Sequence, residues 1–330
     1  MRGKTAPFSP SEPSRRESDL GYLIGGHRLA APKAPPGLHL VATPIGNLGD
    51  ITVRALETLA GVDLIACEDT RITHRLLDRY AITNPLTAYH EHNAATARPK
   101  LLARLAEGAS IALVSDAGTP LISDPGYKLV KEACAAGFAV TALPGPSSVL
   151  AALAVSALPT NRFFFEGFLP PKTTARRARL AELSRIEATL VLFESGSRVQ
   201  ESLNDIAEVM GPREASICRE LTKLHEEIRR APLTELAAEA AVLETRGEFV
   251  LVIGPPAADA GIMTNEGLDA LLLTALRRGS VKDAVTEAVE VSGRPRREVY
   301  ARALELARSD HATDEADNEK RAAGNSHGAA

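Results

Sequence analysis

Three segments of this 330-residue sequence combine glycine, proline and short polar side chains in a way that suits wrapping a small ligand. They are Thr43-Pro44-Ile45-Gly46-Asn47-Leu48-Gly49-Asp50, the twelve residues from Ser115 to Gly126, and Pro144-Gly145-Pro146-Ser147-Ser148. A glycine lets the backbone approach a ligand closely, and a proline fixes the chain around it. One such loop alone reads as a tight turn. Three of them, each following an apolar run that reads as a strand, point to a shared ligand edge. The residues expected to hold that ligand are Pro44, Gly46, Ser115, Asp116, Ala117, Gly118, Thr119, Pro144, Gly145 and Ser147. No G-x-G-x-x-G follows the first strand and no G-x-x-x-x-G-K-[ST] occurs, so dinucleotide and P-loop chemistry are poorly supported. A ligand met mainly by backbone amides and carbonyls, with a carboxylate or two for hydroxyls or an amine, suits these loops better.

Charged side chains gather at other strand ends. Glu68-Asp69-Thr70-Arg71 follows the second strand directly, Glu194 ends another with Arg198 just beyond, and Arg219-Glu220-Leu221-Thr222-Lys223 follows a third. Acids there equally suit the start of a helix, where its dipole favours negative charge. Glu68, Asp69, Arg71, Glu194, Glu220 and Lys223 are the candidates for proton transfer or charge stabilisation, and the sequence ranks none of them first. Those of the second half could form the far wall of a cleft. His90, Glu91 and His92 lie in a stretch without strand or helix pattern and read as surface residues.

The elements that must position these groups alternate. Strands are predicted over 38–43, 62–67, 110–115 and 139–143, with helices from Asp50 (as cap) to Gly61, over 71–80 and 127–136, and from the Ser147 cap to Leu158. Nothing is assigned between Tyr80 and Ser110. Strand–helix alternation implies a mostly parallel sheet covered on both faces. Past Pro159, strands at 162–166, 189–193, 215–218 and 248–253 with helices near 173–187, 197–209 and 234–244 suggest a second α/β domain with a mixed sheet. The expected domains are 37–158 and 159–255, then a linker over 256–265. A helix-turn-helix-like module over 266–308 follows, in which Ser292-Gly293 makes the turn and Pro295 opens the last helix. Residues 1–36 and 309–330 are read as solvated extensions, dispensable for activity.

Composition narrows the classes. With 45% hydrophobic and 24% charged residues the chain can build a soluble core, and no apolar run reaches the roughly 18 residues that span a bilayer. Cys67, Cys134 and Cys218 match no metal spacing, which suits reduced thiols in the cytoplasm and gives a metal site nothing to stand on. A net charge of −4 and 4% aromatics argue against a broad nucleic-acid surface, so any RNA contact must be local. The most visible patch is Arg277–Arg308, with eight lysines or arginines against five acids, aided by Arg176, Arg177 and Arg179.

Taken in order, Thr43-Pro-Ile-Gly-Asn-Leu48, Glu68-Asp-Thr-Arg71, the Ser115–Gly126 loop, Leu143-Pro-Gly-Pro146, Phe165-Glu-Gly-Phe-Leu-Pro170, Phe193-Glu-Ser195 and Arg219-Glu-Leu-Thr-Lys223 resemble the ribosomal RNA small subunit methyltransferase I family of the tetrapyrrole-methylase superfamily. The likeness runs collinearly from about Leu38 to Ile253 and more weakly to Arg308. It departs from the family pattern after Ser195, where Gly196-Ser197 stands in place of an expected histidine before Arg198. The resemblance implies two α/β domains holding S-adenosyl-L-methionine in the cleft between them, usually in a homodimer. It also implies 2′-O-methylation of a cytidine in the decoding region of 16S rRNA within the 30S subunit. Two other readings remain open at this point: a methylase of the same fold acting on a tetrapyrrole or other small molecule, and a non-catalytic RNA-binding assembly factor.

Overall fold

The computed structural model describes residues 20–256 and 265–307. It divides into two compact units, one of residues up to Leu183 with Ala188–Gly254, the other of Ser184–Glu187 with the chain from Pro255 onward.

The first unit opens with a feature absent from the sequence reading. Strands β1 (Gly21–Ile24) and β2 (His27–Ala30) form an antiparallel hairpin inside the segment expected to be a solvated extension. Leu20, Tyr22, Ala31 and Ala34 are buried in one core cluster with Leu56, Leu59 and Leu77. Residues 20–36 are therefore part of the domain, and the expected boundary at 37 is corrected. Residues 1–19, the tail over 309–330 and most of the linker over 256–265 lie outside the described residues.

Five parallel strands follow: β3 (Gly37–Val41), β4 (Leu64–Cys67), β5 (Leu86–Ala88), β6 (Ser110–Val114) and β7 (Val140–Leu143), in the order β5-β4-β6-β3-β7. Their side chains alternate between two cores, as a pleated strand requires. Ile65, Cys67, Ala112 and Val114 face α1 (Val53–Gly61), α2 (Thr70–Arg79) and the hairpin; Leu64, Ala66, Ile111 and Leu113 face α3 (Ala94–Ala106) and α4 (Tyr127–Ala135). Every position of β4 and β6 is buried, which explains their unbroken apolar runs. The start of α1 differs from expectation. Thr52, not Asp50, is its cap, accepting from the Ala55 N–H, because Asp50 ends a separate turn of 3-10 helix capped by Asn47. Ser147 caps α5 (Ser148–Val155), as the sequence indicates.

The second sheet is mixed, ordered β11-β10-β12-β9-β8. It comprises β8 (Phe163–Phe168), β9 (Thr189–Ser195), β10 (Glu214–Arg219), β11 (Glu227–Pro232) and β12 (Glu248–Ile253), with only β8 and β9 parallel. Helices α6 (Thr173–Leu183), α7 (Val199–Met210) and α8 (Leu233–Ala238) accompany it. Arg176 is buried and bonds Asp205 at 2.6 Å, Arg177 holds Asp205 and Glu208, and Arg179 holds Glu166 and Glu182. These three arginines fasten α6 to α7 and β8; burial of Arg176 corrects its expected place in an RNA patch, while Arg177 and Arg179 keep 43% and 35% of their side chains exposed.

In the second unit, α9 (Asn265–Leu276), α10 (Val281–Ser292) and α11 (296–307) close around Leu268, Leu272, Val285, Ala288, Val299 and Ala303. Ser280 caps α10, and Gly293 ends it in the left-handed conformation (φ 66°) that a helix C-terminus favours.

Candidate active site

Because β3, β4, β6 and β7 are parallel, the loops after them emerge at one edge of the sheet. Two of them are stitched together there. Thr43 and Gly118 exchange backbone hydrogen bonds in both directions at 2.9 Å, and the Thr43 hydroxyl donates to the Ser115 carbonyl at 3.1 Å. The Thr119 hydroxyl donates to the Pro146 carbonyl at 3.2 Å, tying in the third loop. Gly118 sits at φ +80°, where a side chain would strain the backbone.

These loops form one wall of a cavity of about 410 Å³, a volume typical of small-molecule sites. Ile45, Asp116, Ala117, Gly118, Thr119, Ile122, Asp124 and Ser147 line this side, and Phe168, Phe193, Leu221, Lys223, Phe249 and Val250 line the side given by the mixed sheet. Phe193 packs edge-on against Phe168 and Phe165, at ring separations of 5.6 and 4.9 Å. Of the ten residues expected to hold a ligand, Asp116, Ala117, Gly118, Thr119 and Ser147 reach the cavity. The other five support it. Ser115 directs its hydroxyl at the carbonyls of Ala117 and Gly118, Gly46 leaves room for the Lys223 stem, and Gly145 lies against Ala42. Pro44 and Pro144 follow the ends of β3 and β7 without lining the space.

The candidate ionisable residues divide. Glu68 and Asp69 open instead onto an adjoining, shallower recess of about 440 Å³ with Thr70, Ala88, His90 and His92, and Asp116 belongs to both spaces. His90 is half-buried in that recess, which corrects its reading as a surface residue, whereas His92 is exposed. Asp69 caps α2 and chelates Arg71; hydrogen bonds from Arg71 hold its carboxyl down at about 2. The Arg71 side chain is 86% exposed, so it serves this pair rather than either space. Burial, reinforced by the charge of Asp116, raises the Glu68 carboxyl, and burial likewise raises Asp116, against the Asp69 N–H that it accepts at 3.0 Å.

On the mixed-sheet side the charges are answered internally. Glu194 is buried, and its carboxylate accepts from the Ser202 hydroxyl at 2.6 Å and the Ser195 N–H at 2.8 Å, with Arg198 at 3.4 Å. It thereby joins β9 to α7. Lys223 donates to Glu220 and Glu248, both at 2.8 Å. Glu220 is absent from the lining and also accepts from the Glu248 N–H. The turn that presents Lys223 runs through left-handed Glu220 and Thr222, φ 52° and 69°.

Asp124 is the residue that sequence reasoning passed over. It lies in the twelve-residue loop and lines the cavity. Burial raises its carboxyl to about 6, helped by the Glu68 charge, opposed by a hydrogen bond from Ser115, and helped again by Asp116. The signal in the sequence was its place between two ligand-type glycines of one loop; what makes it unusual is the company the fold gives it. No group of three or more His, Cys, Asp or Glu that could hold a metal occurs among the described residues, and no described helix is long and apolar enough to cross a membrane.

Comparison with known proteins decides the family. Residues 37–237 match the model of the Tetrapyrrole (Corrin/Porphyrin) Methylases, and 264–307 match that of the RsmI C-terminal HTH domain. The chain is 50% identical over 286 residues to the ribosomal RNA small subunit methyltransferase I of Mesorhizobium japonicum, covering 86% of this chain and 97% of that protein. It belongs to the ribosomal RNA small subunit methyltransferase I family. Members from Xylella fastidiosa (Temecula1) and Escherichia coli O157:H7 are 47% and 46% identical, each across 81% of this chain and 98% and 94% of theirs. Solved structures of a cobalt precorrin-4 methyltransferase and a diphthine synthase share the fold, with TM-scores of 0.51 and 0.53 at 16% identity. Each covers 66% of this chain, and the match spans 94% and 89% of theirs. The methyltransferase family thus has its parallel sheet, mixed sheet and C-terminal helices accounted for in this chain.

Proposed function

We propose that this protein uses S-adenosyl-L-methionine to methylate the 2′-hydroxyl of a cytidine in the decoding region of 16S rRNA, acting on the 30S subunit as a cytoplasmic homodimer. The observation that carries the reading is the cavity itself, built from the loops that the family likeness singles out and sharing Asp116 with a second recess.

The lining suits the donor. Glu194 and Glu248 are answered by Arg198 and Lys223, so Asp116, at the loop that carries Gly118, is the acid placed to face a cationic centre of the ligand. Apolar walls from Ile45, Phe168, Phe193, Leu221 and Val250 suit its adenosyl part, and the Asp116–Thr119 backbone supplies amides and carbonyls at a glycine that permits close approach. When bound, the donor supplies an electrophilic sulfonium methyl group. Everything else falls to the chain's residues: the loops orient, the aromatic side excludes water, and a carboxylate takes up a proton. Arg176 is buried and Arg177 and Arg179 are ion-paired, so the exposed Arg277, Arg278, Lys282, Arg296 and Arg297 of the helical unit are the better candidates for phosphate contact.

Incubating 30S subunits with methyl-labelled donor and mapping the label tests the reading. Label at one cytidine 2′-oxygen of 16S rRNA is the expected result. Label on a porphyrinogen and none on RNA would replace it with small-molecule methylation, and absence of donor binding by calorimetry would replace it with a non-catalytic role.

A further inference from the structure

Five ionisable side chains line the cavity: Asp116, Asp124, Glu194, Lys223 and Glu248. Four of them are engaged by cations or backbone N–H groups within the protein. Glu194 has Ser202, the Ser195 N–H and Arg198; Lys223 and Glu248 have each other; Asp116 accepts the Asp69 N–H. Asp124 is different. The Ser115 hydroxyl, shared with the Ala117 and Gly118 carbonyls, is its polar neighbour. Glu68 and Asp116 face it with like charge, partly offset by His90 and Arg71, and no ion pair among the described residues includes Asp124 itself. Its loop is held in an uncommon shape, with Leu121 and Ser123 at φ 75° and 64° and Gly126 at φ 141°. A Cβ at Gly126 would be strained by that φ and would press within 3.0 Å of the Leu113 side chain. The backbone around Asp124 is thus anchored against the β6 core rather than left to solvent.

We propose that Asp124 is the proton acceptor for the ribose hydroxyl, an inference that rests on the reaction proposed above. The hydroxyl proton passes to an Asp124 carboxylate oxygen as the ribose oxygen forms its bond to the methyl carbon. The carbon–sulfur bond breaks with its electron pair left on sulfur, which loses its positive charge, and Asp124 later returns the proton to water. The other ionisable candidates fit this role less well. Asp69 is chelated by Arg71, Glu220 and Lys223 neutralise each other, Glu194 is turned to α7, and Glu68 opens onto the adjoining recess. A carboxyl titrating at about 6 is mostly ionised at neutral pH while remaining a stronger base than an ordinary aspartate. Burial is the first cause of this value, Glu68 and Asp116 on the parallel-sheet edge add to it, Ser115 opposes it, and His90 and Arg71 offset Glu68 and Asp116 in turn. Lys223, Glu194 and Glu248 complete the opposite wall.

The test uses the full-length protein with 30S subunits and labelled donor in single turnover. The wild-type rate should rise with pH through an apparent pKa near 6 and then level off. Asp124→Asn should lower the plateau by about a hundredfold or more and abolish that rise. Its donor affinity by calorimetry should stay within about fivefold of wild type. Carboxyl carbon NMR of the donor-free protein should show one aspartate titrating near 6 that is missing in the variant. Asp124→Glu, which keeps the carboxylate, should recover part of the rate. A wild-type profile flat from about pH 5 to 8 overturns the proposal without any variant. So does an Asp124→Asn protein with the wild-type rate, or one that has lost donor affinity along with activity, since Asp124 would then be a donor ligand. Wild-type protein that binds donor but leaves 30S subunits unlabelled removes the proposed reaction itself, and this inference with it.

Discussion

The two walls of the cavity handle charge in opposite ways. On the mixed-sheet side, Glu194, Lys223 and Glu248 are each matched by a partner, and the wall is stiff and electrically quiet. On the parallel-sheet side, Asp116 and Asp124 crowd with Glu68 of the adjoining recess, and all three carboxyls are raised. A neutralised charge fastens elements together; a charge kept partly buried without a counter-ion retains the capacity to exchange protons. The contrast assigns support to one wall and chemistry to the other, and it can be broken at several points.

The largest effect should come from the core behind the parallel sheet. Starting the chain at residue 37 removes Leu20, Tyr22, Ala31 and Ala34 from the cluster around α1 and should cost about 4 kcal/mol or more by urea denaturation. An unchanged midpoint would mean that the hairpin does not carry the load its burial implies. Next, Glu194→Ala leaves Ser202 and Arg198 without their shared acceptor and should cost about 3 kcal/mol, while donor affinity of the folded protein holds. Lost affinity at full stability would make Glu194 a ligand-binding acid and erase the distinction between the walls. Gly118→Val places a branched side chain at φ +80° beside Ile45 and should weaken donor binding about a hundredfold with the circular dichroism spectrum preserved. The smallest effect is expected in the second unit. Arg296→Ala with Arg297→Ala should weaken 30S binding a few-fold, about 1 kcal/mol, and reduce the salt slope by roughly two, leaving donor affinity alone. Arg294, held by Glu298 at 2.9 Å and by Asn265 at 2.7 Å, is better kept out of that set.

The parallel sheet was legible because its strands are buried on both faces and so spell unbroken apolar runs, and the ligand loops because glycine and proline mark them. The elements left unread share physical reasons. The β1–β2 hairpin has two four-residue strands set among prolines and arginines, and its stability comes from Tyr22 and Leu20 packing on a helix that follows later. The α3 helix carries Pro99 in its interior, which reads as a breaker, and β5 and β11 are edge strands, one three residues long and the other rich in charge. Arg176 looked like a surface residue because Asp205, which permits its burial, lies on the next helix. Asp124 stood in plain view in its loop beside Asp116, but Glu68 comes from the end of a different strand, and only the fold brings it to the same place.

The strand order also governs how the molecule must assemble. In the parallel sheet β3 pairs with β6 and β7, both of which come much later in the chain, and among its strands only β4 and β5 are neighbours both in sequence and in the sheet. Three of the four pairings in the parallel sheet therefore close a long loop, and sheets dominated by such contacts form slowly. The segments that meet around the cavity follow β3, β6 and β7, so they converge only after the last of these strands has docked. Helical signal should return early in refolding, and the capacity to bind the methyl donor should return last.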